Sequence, residues 1–144
     1  MSFSAGGEPL RPAAPRVVIA DDDAVFRSGV RAALQEAGIV VIAEADNGRD
    51  AIDLAVHFRP DVVLMDVVMV GMDGISATER LSAEVPSAAV VMMSVQGEAD
   101  YLRRSMLAGA REFLVKPFSS DELTSSIRQV YTREREKQSR IAVQ

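Results

Sequence analysis

The 144-residue chain contains no cysteine, which excludes both a disulfide framework and a thiolate metal site. It lacks any basic excess: the net charge is −5 and the isoelectric point near 4.9, against a surface built to bind nucleic acid. No apolar run approaches the length of a membrane span, and the N-terminus lacks the charged-then-apolar order of a signal peptide. The expectation is a cytoplasmic protein with no membrane association and no direct nucleic-acid binding. Histidine occurs once, as His57 late in a predicted helix, and reads as a surface residue, not a phosphodonor or ligand. No DNA-binding helix-turn-helix or catalytic module follows Val130, so the chain reads either as a stand-alone unit or as one cut from a longer protein.

What is present is ordinary for one globular domain: 48% hydrophobic and 26% charged residues. Residues 1–15 hold three prolines and two glycines and read as a disordered leader. Residues 16–131 carry the domain, and 132–144 read as a polar tail or linker. Within the domain, short apolar runs alternate with helical periodicities. Strands are expected at Val17–Ala20, Ile39–Ala43, Asp61–Asp66, Ala88–Met93 and Arg111–Val115. The first helix runs from about Ala24 to Ala37, with Val25, Val30, Ala33 and Leu34 near helical spacing and Asp23 as its N-cap. The second places Ile52, Ala55 and Val56 inward, the third Ile75, Ala77 and Leu81, and the fifth Leu123, Ile127 and Val130. The fourth covers about Glu98 to Ala108 and stops at Gly109. Met65, Met69, Met72, Met92 and Met93 lie in or beside strands and read as core filling. This rhythm implies an α/β doubly wound (βα)5 fold, flavodoxin-like, with a five-stranded parallel sheet and helices on both faces.

In a parallel sheet all strand C-termini point the same way, so Asp21, Asp22, Asp66, Ser94 and Lys116 should converge. Gathering three carboxylates is costly unless a cation joins them. Hard oxygen donors suit Mg²⁺, which keeps waters and leaves room for a phosphate. Lys116 supplies a mobile positive charge and Ser94 a hydroxyl. Together these are the parts for phosphoryl transfer onto Asp66.

On those residues the chain resembles the receiver domain of two-component response regulators, including the chemotaxis-type single-domain members, over about Val17 to Val130. The resemblance implies that Asp66 is the phosphoacceptor and that Asp22 and Asp66 bind Mg²⁺ directly. Asp21 would act mainly through water, and the Val68 backbone carbonyl would be a further ligand. Ser94 would sense the phosphoryl group, Phe113 would rotate with it, and Lys116 would pair with its oxygen. The Lys116-Pro117 peptide would be cis. Partners would be a sensor histidine kinase or phosphotransfer protein, with a homodimer through the helix 4–strand 5–helix 5 face, where Arg103, Arg104, Arg111, Glu112, Asp121 and Arg128 mix charges. Val70 stands where the family often has proline, and Val68 and Gln96 stand where it tunes hydrolysis. No separate substrate turnover is expected. A haloacid-dehalogenase-type Mg²⁺-dependent phosphatase is the enzyme alternative, although its Asp-x-Asp pattern after the first strand is only faintly met by Asp21-Asp22-Asp23. A flavodoxin-like cofactor binder fits poorly, because no Gly- or Ser/Thr-rich phosphate loop follows the first strand.

Overall fold

Two short apolar runs, in Arg16–Ala20 (β1) and Val62–Asp66 (β3), have almost no exposed side chain. That demands cover on both sheet faces, and a computed structural model supplies it. The model describes residues 14–95 and 97–143, the last three by backbone alone. The remaining strands are Val40–Ala45 (β2), Ala89–Ser94 (β4) and Glu112–Val115 (β5). They alternate with helices Ala24–Glu36 (α1), Gly48–Phe58 (α2), Gly74–Glu84 (α3), Ala99–Ala108 (α4) and Ser120–Val143 (α5). All pairings are parallel, in the order β2-β1-β3-β4-β5, so the flavodoxin-like expectation holds.

The strand period of two divides the core. Val17, Ile19, Val62, Leu64, Val91 and Met93 face α1 and α5, and pack with Val30, Leu34, Leu123, Ile127 and Val130. Val18, Ala20, Val63, Met65, Val90 and Met92 face α2, α3 and α4, and pack with Ile52, Ile75 and Leu81. Full burial of one such aliphatic side chain contributes roughly 1.5–3 kcal/mol. The edge strands β2 and β5 are only half-buried. Chain order reverses between β1 and β3, and at such a switch point the loops after the two strands open a crevice at the sheet's C-terminal edge.

Several local expectations need correction. Val25 is 83% exposed, and Phe26 takes its place in the inward stripe with Val30, Ala33 and Leu34. Val56 is also exposed, because Ala51, Ile52 and Ala55 already fill the inner face of α2. β2 starts one residue later than the apolar run, since Ile39 N–H donates to Leu34 O and closes α1 behind Gly38 at φ +80°. α5 continues through residues 132–143, where Glu134 pairs with Arg111 at 2.7 Å. Residues 1–13 of the leader and Gln96 lie outside the described residues. Pro15 is buried, and its carbonyl accepts from Val40 N–H. Among the described residues no helix is long and apolar enough to cross a membrane.

Candidate functional site

The loops after β1, β3 and β5 each begin with one further bond of the parallel ladder past the strand end. Asp21 N–H donates to Ala45 O, Val67 N–H to Met93 O, and Lys116 N–H to Ser94 O at 2.7 Å. The backbone at Asp21, Val67 and Lys116 is therefore an extension of the sheet. Asp23 caps α1 by accepting from Val25 and Phe26 N–H, and takes the structural role expected of it. Asp73 caps α3 through Ser76 N–H.

Asp21, Asp22 and Asp66 each present a carboxylate oxygen within 4.8 Å of the other two. Asp21 is fully buried, with one oxygen accepting from Asp23 N–H (2.9 Å) and the other from Lys116 Nζ (2.6 Å). Its backbone carbonyl accepts from Arg27 Nη1, and Arg27 Nε is held by Glu44 at 3.0 Å. Asp22 is exposed. Asp66 is 8% exposed and lies 3.5 Å from Lys116 Nζ. Burial, reinforced by the negative charge of Asp21, pushes the Asp66 carboxyl from 3.8 up to about 6; Lys116 opposes that rise and Asp22 adds to it.

Ser94 is buried one residue beyond Met93, the register partner of Asp66. Phe113 is half-buried in β5 and packs against the core under α4. Val68 and Val70 are exposed in the β3–α3 loop. The Lys116–Pro117 peptide is cis. His57 is exposed in the last turn of α2, edge-on to Phe58 and remote from the carboxylates. The five residues Asp21, Asp22, Asp66, Ser94 and Lys116 are thus gathered at one edge.

Sequence reading missed three contributors. The Phe26 ring centroid lies 4.0 Å from Lys116 Nζ, and the Arg27–Glu44 pair braces the Asp21 carbonyl from β2. No local pattern joins residues 17 or 90 positions apart. Gly74 is the third: a Cβ there would sit 2.0 Å from Asp66 O.

Three clustered carboxylates offer only hard oxygen donors, and burial first, then the repulsion from Asp21 and Asp22, raises the Asp66 carboxyl. Such a set fits a divalent cation of the Mg²⁺ kind.

Comparison with known proteins agrees with this geometry. Residues 17–128 match the model of the response regulator receiver domain. The chain is 36% identical to the chemotaxis protein CheY of Bacillus subtilis over 114 residues, covering 79% of this chain and 95% of CheY. It is 37% identical to the response regulator GacA of Pseudomonas aeruginosa over 121 residues, which is 83% of this chain but 56% of GacA. Among solved structures, the receiver domain of the response regulator NarL from Mycobacterium tuberculosis superposes with a TM-score of 0.80 at 34% identity, covering 84% of this chain and 98% of that one. Receiver domains are signalling domains that interact with histidine kinases or phosphotransfer proteins, and the family binds Mg²⁺ at an acidic cluster. Neither the phosphatase nor the cofactor-binder alternative gains support from these matches. The chain belongs to the response regulator receiver family of two-component signalling systems.

Proposed function

We propose that this receiver domain accepts a phosphoryl group on Asp66 and uses it to switch a protein-binding face. The observation that carries the reading is the buried Asp66 carboxylate, set 3.5 Å from Lys116 Nζ and clustered with Asp21 and Asp22. An Asp66 oxygen attacks phosphorus in line and forms the O–P bond of an acyl phosphate. The bond from phosphorus to the donor breaks, and its electron pair leaves with the donor. Mg²⁺ held by Asp22, Asp66 and the Val68 carbonyl, with Asp21 acting through water, would neutralise charge on the phosphoryl oxygens. Asp21 suits that indirect role because both of its carboxylate oxygens already have donors. Lys116 moves from Asp21 toward a phosphoryl oxygen, and Ser94 donates its hydroxyl to another.

The donor is a sensor histidine kinase or phosphotransfer protein, and the domain works in the cytoplasm. It slowly hydrolyses its own acyl phosphate and turns over no separate substrate. The phosphoryl group, which carries a charge of about −1.5 to −2, draws Ser94 and Lys116 inward, Phe113 rotates, and the α4–β5–α5 face changes. That face is the one for a phosphorylation-dependent homodimer, and it does not bind nucleic acid. Its charges are partly committed within the chain: Arg111 to Glu134, Glu112 to Arg133 at 3.9 Å, Arg104 to Asp100 at 3.8 Å, and Arg128 to the Ala37 carbonyl. Arg103 is therefore a cleaner site than Arg128 for a charge reversal. Sedimentation with and without a phosphoryl mimic should show a dimer in the mimic alone, weakened by Arg103→Glu. An equal dimer in both states would remove this face from the output.

Acetyl phosphate with Mg²⁺ should add the mass of one phosphoryl group to the wild-type chain and none to Asp66→Asn, read by intact-mass spectrometry. Equal labelling of the two would defeat the assignment.

A further inference from the structure

Lysine is a compact charge on a flexible four-carbon stem, free to choose among nearby anions. Lys116 has two within reach, Asp21 at 2.6 Å and Asp66 at 3.5 Å, yet its side chain is only 11% exposed. A third neighbour is uncharged. The Phe26 ring lies with its centroid 4.0 Å from Nζ, well inside the range at which an aromatic face attracts an ammonium. That ring is itself braced: Phe118 meets it edge-on, with centroids 5.7 Å apart and planes at 83°. Phe118 follows Lys116-Pro117 directly, so one loop supplies both the cation and the brace. The first turn of α1, which carries Phe26, is pinned by the Asp23 cap.

We infer that Phe26 is a positioning residue for Lys116, holding the ammonium at the carboxylate cluster while leaving its N–H donors able to change partners. A carboxylate binds ammonium hydrogens directionally, so a lysine held by Asp21 alone must lose that bond before it can serve another oxygen. An aromatic face attracts the charge without claiming a particular hydrogen. The ring therefore keeps Nζ in place while its donors pass from Asp21 to an oxygen on Asp66. The inference rests on the reading of Lys116 as the cation that meets the phosphoryl oxygen, but its geometric half can be tested alone.

The chain has two lysines, Lys116 and Lys137, and Lys137 is 58% exposed at the far end of α5. Lysine-labelled protein therefore gives two side-chain NMR signals, one of them an internal reference. In the wild type, the Lys116 Cε protons should be displaced upfield of those of Lys137 by the Phe26 ring current. Phe26→Leu, which keeps apolar volume but no ring, should collapse that displacement, and Phe26→Tyr should restore it. Labelling by acetyl phosphate at saturating Mg²⁺ should slow by roughly 2- to 30-fold in Phe26→Leu and stay near wild type in Phe26→Tyr. The Mg²⁺ affinity should not change in either variant. Should Phe26→Leu fail to fold, Phe118→Leu removes the brace without touching Lys116 and should show an intermediate displacement. An unmoved Lys116 signal in the Leu variants, or equal labelling rates in Phe26→Leu and wild type, overturns the inference. If wild type and Asp66→Asn label alike, the reading of the site fails instead, and the lysine signal still decides whether Phe26 fixes the ammonium.

Discussion

Asp66→Asn is expected to melt roughly 5–10 °C above the wild-type chain near pH 7.5 in the presence of EDTA. The reason is the raised Asp66 carboxyl, at about 6 in the folded chain against an ordinary 3.8. Between those two values the folded state binds more protons than the unfolded one, so the contribution of Asp66 to stability falls as pH rises. Above about 6 the loss is complete, and the buried carboxylate costs on the order of 2–3 kcal/mol. Asparagine keeps the shape and removes the charge. Calorimetry near pH 4 should show the difference shrunk to well under 1 kcal/mol, because the wild-type carboxyl is then protonated in the fold. Millimolar Mg²⁺ should close the gap from the other side, by raising the wild type through binding and leaving Asp66→Asn little changed. A variant no more stable than wild type in EDTA would mean that the cluster is not strained by charge.

A second large effect is expected from one methyl group. In Gly74→Ala the new Cβ would lie 2.0 Å from the Asp66 carbonyl oxygen and 3.0 Å from Met65 Cγ. No side-chain rotation relieves a clash with backbone, so either α3 or the end of β3 must shift. Gly74 N–H also donates to Val67 O at 2.8 Å, which ties the start of α3 to the residue after Asp66. The expected loss is about 3 kcal/mol or more, with labelling of Asp66 falling along with it. Gly29→Ala is the control. Nothing lies within 4 Å of its Cβ, and it sits exposed inside α1, so alanine should stabilise by roughly 0.4–1 kcal/mol. Denaturant titrations of both variants measure the contrast, and a tolerated Gly74→Ala would show that the β3–α3 junction is looser than its packing indicates.

How much of this was legible before the structure depends on whether the cause is local. Val62–Asp66 reads as a two-sided strand from its short β-branched apolar run, whereas the equally apolar run Ile39–Ala43 goes mostly into a half-buried edge strand, a difference that strand order decides. Convergence of Asp21, Asp22, Asp66, Ser94 and Lys116 then follows from parallel topology, without any knowledge of side chains. Val25 was misread because spacing alone does not choose between neighbouring residues 25 and 26 in the first turn, where the larger Phe26 reaches the core edge. The Phe26 contact with Lys116 and the Arg27–Glu44 brace are tertiary, and they exist only after β2, β5 and α1 have assembled. The continuation of α5 beyond Tyr131 follows the same rule. Thr132–Val143 has no apolar stripe to signal it, whereas the Glu134 pair with Arg111 crosses to the root of β5.

In the proposed reaction the carboxylate of Asp66 itself carries the phosphoryl group. Borohydride reduction of protein labelled with acetyl phosphate, followed by peptide mass spectrometry, locates an acyl phosphate by converting its aspartate to homoserine. Homoserine is expected at position 66 alone, formed only when both the phosphodonor and Mg²⁺ are present. Homoserine at position 21 or 22, or none from a chain that has gained the phosphoryl mass, would contradict it.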